Sequence, residues 1–95
     1  MKTKTLDRVY KDSEKLPKQI KIMAAEELEK LENAPNLKIL RNVTPLKGTK
    51  EPYYRLKFNN YRFLLYHDTE TDIVEILSLV HRKDSYKKHN LPWRR

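Results

Sequence analysis

Ninety-five residues with 21 Lys and Arg against 13 Asp and Glu make a small, basic chain of formal charge +8 that contains no cysteine. That length supports one modest core, so a single domain spanning residues 1–95 is expected. The absence of cysteine excludes disulfide scaffolds and thiolate metal sites, and with no apolar leader or membrane span to read, the expected compartment is the cytoplasm.

The charge is unevenly placed. Residues 1–35 hold eight basic and seven acidic side chains, whereas residues 36–95 hold thirteen basic and six acidic. A field concentrated in one half of the chain steers polyanions and fits nucleic acid or an acidic protein partner.

In chain order, the polar MKTKT opening is compatible with a brief edge strand and equally with a frayed end. From Leu6 the apolar residues Leu6, Val9, Tyr10 and Leu16 recur at helical spacing, with Thr5 as a candidate cap. Pro17 ends that helix and opens a second, whose inner face is Ile20, Ala24, Leu28 and Leu31, with Met23 and Glu27 at its border. Asn33-Ala34-Pro35 stops it. Residues 36–52 contain Pro45, Gly48 and Pro52 among Lys38, Arg41, Lys47 and Lys50 and read as a basic loop, with Leu37 to Leu40 extending a short turn.

Tyr53 to His67 is the most regular stretch. Two runs of aromatic and branched residues flank Asn59-Asn60, and asparagine tolerates the left-handed backbone of a tight turn, so a β-hairpin is predicted. With those asparagines as the loop, Phe58 faces Tyr61, Lys57 faces Arg62, Arg55 faces Leu64 and Tyr53 faces Tyr66. Tyr54, Leu56, Phe58, Tyr61, Phe63 and Leu65 then share a core face, and Tyr53, Arg55, Lys57, Arg62, Leu64 and Tyr66 share the other. Lys57 opposite Arg62 is a like-charge pair that an anion would relieve; the alternative is that both lean into water.

After a polar loop, Asp68 to Asp72, the run Ile73 to Val80 is apolar on both faces and predicts a strand inside the sheet. It leaves at His81-Arg82. Asp84 or Ser85 caps a short helix, Tyr86 to His89. If this strand pairs with the hairpin, Arg82 points across the basic face while His81 alternates to the other side or reaches the rim.

Such a cluster suits a phosphodiester. Cleaving RNA requires removal of the 2′-hydroxyl proton, stabilisation of the charge growing on the phosphorane, and protonation of the departing 5′-oxygen. Arginine does the second task through its planar fork but gives up a proton poorly. His81 and Lys57 are therefore the candidate proton carriers, and Tyr86 can stack on a base or orient the phosphate. Each has a structural alternative: His81 as a capping or packing residue, Tyr86 closing the core, Arg82 paired with Asp84. No Gly-rich phosphate loop is present, and His67, His81 and His89 lack metal-binding spacing, so no metal and no other cofactor is expected.

Taken together, EKLPKQI at the helix break, PLKG before the hairpin, YYRLKFNNYRFLLY as the hairpin and LVHRKDSYK at the end resemble the RelE-like toxins of type II toxin–antitoxin pairs, within the RelE/ParE superfamily. The resemblance implies an α+β fold in which two N-terminal helices pack on a small, mainly antiparallel sheet, with a short C-terminal helix. It implies an endoribonuclease that cuts mRNA in the ribosomal A site and inhibits translation, with the 70S ribosome, mRNA and a cognate antitoxin as partners, the last in a hetero-oligomer. By that resemblance Arg55 and Lys57 fall on paired basic positions, Arg62 follows the turn, Arg82 ends the strand and Tyr86 is the C-terminal tyrosine. The family often has lysine where Arg55 stands, so Lys57 becomes the better base, and His81 beside Arg82 looks like toxins that use histidine as acid or base. The expected catalytic set is Lys57, Arg62, His81, Arg82 and Tyr86, with Arg55, Lys47, Lys50, Lys83 and Lys87 contacting RNA. The alternative is a ParE-like gyrase inhibitor or an inactive antitoxin-binding module.

Overall fold

The computed structural model describes residues 1–46 and 52–84, the last without its side chain. In chain order these form β1 (Lys2–Thr5), α1 (Asp7–Glu14), α2 (Lys18–Asn33), a 3-10 turn (Leu37–Ile39), β2 (Val43–Pro45), β3 (Tyr53–Phe58), β4 (Tyr61–Asp68), β5 (Ile73–His81) and a second 3-10 turn (Arg82–Asp84). The expected helix Tyr86 to His89 lies outside the described residues. The strands make a mixed sheet of order β1-β5-β4-β3-β2, parallel only between β1 and β5. This is an α+β fold with two helices on a mainly antiparallel sheet.

The hairpin forms in the expected register, from Tyr53 opposite Tyr66 to Phe58 opposite Tyr61, with Lys57 opposite Arg62. Asn59 takes φ 52°, and its side-chain oxygen accepts the Asn60 N–H at 2.7 Å, which stabilises the turn locally. Alternation then sends Leu56, Phe58, Phe63 and Leu65 to the helix side, where they meet Val9 of α1, Ala24 and Leu31 of α2, and Val74, Ile76 and Leu79 of β5. Each fully buried Leu or Phe contributes about 1.5–3 kcal/mol.

Both helices begin without a side-chain cap. Thr5 is not the cap of α1: it is the last residue of β1, in register with Ile76, and Leu6 occupies the capping position. Tyr10 belongs to α1 but is 58% exposed, because an eight-residue helix turns only Val9 fully inward. Pro17 sits immediately before α2 with φ −56° and ψ 148°, an extended conformation that separates the two helices, rather than as the first helical residue.

Two features go beyond the expected layout. Residues read as loop contain β2, whose Val43, Thr44 and Pro45 pair with Leu56, Arg55 and Tyr54. Proline is tolerated there because β2 is an edge, and a three-residue edge also offers little for another strand to pair with. At the other edge, the exposed Lys2 and Lys4 serve the same purpose on β1.

A bulge opposite Leu64 and Leu65 leaves Leu77 between the pairs Leu64–Ser78 and Leu65–Ile76. The extra residue shifts the alternation of β5. Leu77 thereby joins Tyr53 and Leu64 in a second, smaller buried cluster, flanked by Leu6, Leu46 and Tyr66. The face away from the main core is therefore apolar at one end, not uniformly basic and aromatic. Among the described residues no helix is long and apolar enough to cross a membrane.

Candidate nucleic-acid interface

The cations occupy the hairpin-turn end of that second face. Register places Lys57 directly opposite Arg62, while Arg55, opposite Leu64, is diagonal to Arg62 across β3 and β4. On the other flank Arg62 pairs with Val80 of β5, and two residues on, the Arg82 N–H donates to the Asn60 carbonyl at 2.7 Å. Arg82 is thus the second diagonal neighbour of Arg62. Such diagonals are about 7–8 Å apart at the backbone, well within the reach of arginine side chains.

The electrostatics reflect this convergence. The pKa of Arg62 is lowered, first by burial and then by the charges of Arg55 and Arg82. A guanidinium so placed stays charged at neutral pH, and its cost is carried first in lost hydration and then in repulsion. Its Nε atom is buried without a hydrogen-bond partner among the described residues, and its Nη1 reaches only the Tyr61 carbonyl, at 3.5 Å. An anion on this face would relieve the repulsion. Arg62→Met is expected to stabilise the fold by the low end of the about 1–3 kcal/mol that an orphaned buried donor costs, read as a raised urea midpoint at unchanged slope. A lowered midpoint would mean that the guanidinium is well paired in the folded chain.

Neighbouring residues hold the other cations. Arg55 Nε donates to Thr44 Oγ1 at 3.0 Å, so β2 steers this arginine. Asn42 brackets Lys57: the Lys57 N–H donates to the Asn42 carbonyl at 2.9 Å, and Asn42 Nδ2 donates to the Lys57 carbonyl at 2.9 Å and to Glu27 Oε1 of α2 at 2.7 Å. Thr44 and Asn42 were hidden in the presumed loop. Their only sequence signal is the brief NVT run ahead of Pro45, too short to distinguish from a turn.

His81 lies apart from these groups. It pairs with Tyr61, on the helix side of the sheet, and its ring meets the Tyr61 ring edge-on at 5.1 Å and 82°. Lys83 is exposed in the turn beside Arg82. Arg55, Lys57, Arg62 and Arg82 are thus brought together, and His81 faces the other way. Lys47, Lys50, Tyr86 and Lys87 lie outside the described residues. No group of three His, Asp or Glu residues suited to a metal occurs among the described residues.

No family model matches the sequence, and no curated protein matches it either. Solved structures do. The chain is similar to an archaeal RelE–RelB complex from Pyrococcus horikoshii OT3, at 27% identity and a TM-score of 0.69 over 85% of this chain and 93% of that one. It is also similar to the RelBE2 toxin–antitoxin complex of Mycobacterium tuberculosis, at 27% identity and a TM-score of 0.67, covering 87% of this chain and 92% of that one. The isolated RelE toxin of E. coli shares the fold at 18% identity and a TM-score of 0.64, over 84% of this chain and 82% of that one.

Proposed function

We propose, from the premise that this chain is RelE-like, that it is the toxin of a toxin–antitoxin pair and cuts messenger RNA held in the A site of a translating ribosome. The observation that carries this reading is the placement of Arg62 between Arg55 and Arg82, beside Lys57, on one end of one sheet face. The likeness to RelE–RelB complexes supports an antitoxin as partner.

In the proposed reaction the scissile phosphate sits over Arg62, with Arg82 and Arg55 taking its non-bridging oxygens and the adjoining backbone. Guanidinium forks suit the negative charge that grows on the phosphorane. Lys57, the amine of the cluster, takes the 2′-hydroxyl proton, because arginine holds its own proton too tightly to exchange it. The 2′-oxygen then attacks phosphorus, the bond to the 5′-oxygen breaks, and that oxygen takes up, by way of water, the proton that Lys57 removed, which regenerates the amine. The strand positions around Arg62 on this face hold Arg55, Lys57, Leu64, Val80 and Arg82. A site so rich in charge stabilisers and poor in proton carriers depends on a substrate already bent for attack, which a ribosome-bound codon supplies.

Primer extension on mRNA translated in the presence of the purified chain tests the reading. Cuts within A-site codons, absent when the same mRNA is not translated, are expected. Intact mRNA accompanied by DNA-damage signalling would replace the nuclease with a gyrase inhibitor.

A further inference from the structure

The imidazole of His81 lies on the side of the sheet that the proposed chemistry does not use. Its Nδ1 accepts the backbone N–H of Lys83 at 3.2 Å, and its ring is held edge-on by Tyr61. On the same side the groove against α1 is lined by Arg8, Asp12, Lys15 and Leu16, and Asp12 Oδ2 accepts the Leu79 N–H at 3.4 Å, which ties α1 to the end of β5. Arg82 lies between the two residues joined by the histidine bond. Its own N–H is held by Asn60 at 2.7 Å, so the backbone on both sides of Arg82 is fastened.

We propose that His81 is a positioning residue: through Nδ1 it folds the chain into the 3-10 turn that directs the Arg82 guanidinium toward Arg62. This rests on reading Arg82 as a phosphate ligand. An acceptor at Nδ1 leaves the proton of the neutral ring on Nε2, so the role is tied to one tautomer. A proton-transferring histidine would instead have to present a ring nitrogen on the face that carries Lys57.

Asparagine places its side-chain oxygen near the position of Nδ1, and glutamine places its own near Nε2, so the two variants separate the roles. His81→Ala is expected to lower cleavage of translated mRNA about tenfold, the value of one ordering hydrogen bond. His81→Asn is expected to restore most of it and His81→Gln to leave it low. In an Arg82→Ala background, His81→Ala should add little further loss, because its effect passes through the missing guanidinium. Rescue by glutamine instead of asparagine, or losses that multiply in the double variant, would overturn the proposal. Ring ¹⁵N spectra of the intact chain give a readout independent of cleavage. Nε2–H with Nδ1 as acceptor is expected, together with a perturbed Lys83 amide in His81→Ala that His81→Asn repairs. The opposite tautomer would also overturn the proposal. Should the intact chain leave translated mRNA uncut while these spectra hold, the nuclease reading fails and the structural role of His81 remains.

Discussion

Lys57→Ala is expected to lower cleavage of translated mRNA by about a hundred- to ten-thousandfold, the range over which a positioned proton carrier acts. Arg82→Ala is expected to lower it by about a hundred- to a thousandfold, as the loss of a charge-stabilising donor does. Both variants should permit growth where the intact chain arrests it. Their folding should be preserved, since Lys57 and Arg82 are exposed and neither contributes to the buried clusters. The two differ in kind. Lysine at position 57 is the only amine directly opposite Arg62, so its loss removes a proton carrier, whereas Arg82 is one of two guanidinium groups flanking Arg62. Lys57→Arg, which keeps the charge but holds its proton, should therefore resemble Lys57→Ala in rate, while Arg82→Lys should recover part of the activity. Growth arrest undiminished in both alanine variants would remove the assignment of this cluster.

The second large effect is on stability. Phe63→Ala is expected to cost about 3–5 kcal/mol, read from the urea midpoint at unchanged slope. Phe63 is 0% exposed and stacks on Phe58 with ring centroids 5.2 Å apart. It also lies where α1 and α2 meet the sheet, near Val9, Ala24 and Leu28. Truncation there removes a wholly buried ring and enlarges the gap that these residues already line. For a domain of ordinary marginal stability, about 5–15 kcal/mol, this removes a large share. A cost below about 1 kcal/mol would mean that the helices close over the void left by the ring.

Several elements were legible without coordinates because their information is local. The hairpin register follows from Asn59-Asn60 and strict alternation on either side, since a one-residue slip would send Phe63 and Leu65 to the wrong face. The second helix follows from the spacing of Ala24 and Leu31, both buried as expected. The capping of α1 was misread for an equally physical reason. Thr5 has a good capping side chain, but pairing with β5 takes its backbone into the sheet, and a distant strand cannot be seen in a local window.

The candidate site divides along the same line. Arg55, Lys57 and Arg62 share a face by sequence periodicity alone, because two strands joined by a two-residue turn have little choice of partner. Thr44 and Asn42, which hold Arg55 and Lys57, lie in a segment whose strand character comes from pairing with β3 rather than from its own three residues.

What the sequence determined by itself, then, is the alternation that puts Arg55, Lys57 and Arg62 on one hairpin face and Leu56, Phe58, Phe63 and Leu65 on the other, since side-chain direction in a strand is set residue by residue. Only the tertiary structure decided that β5 docks against β4 rather than β3, placing Arg82 on the free flank of Arg62, and that a bulge turns Leu77 into a second apolar cluster. Strand order depends on how the two helices cover the sheet and on contacts between residues far apart in the chain. No local pattern encodes those contacts, and it is they that bring a third guanidinium to the site.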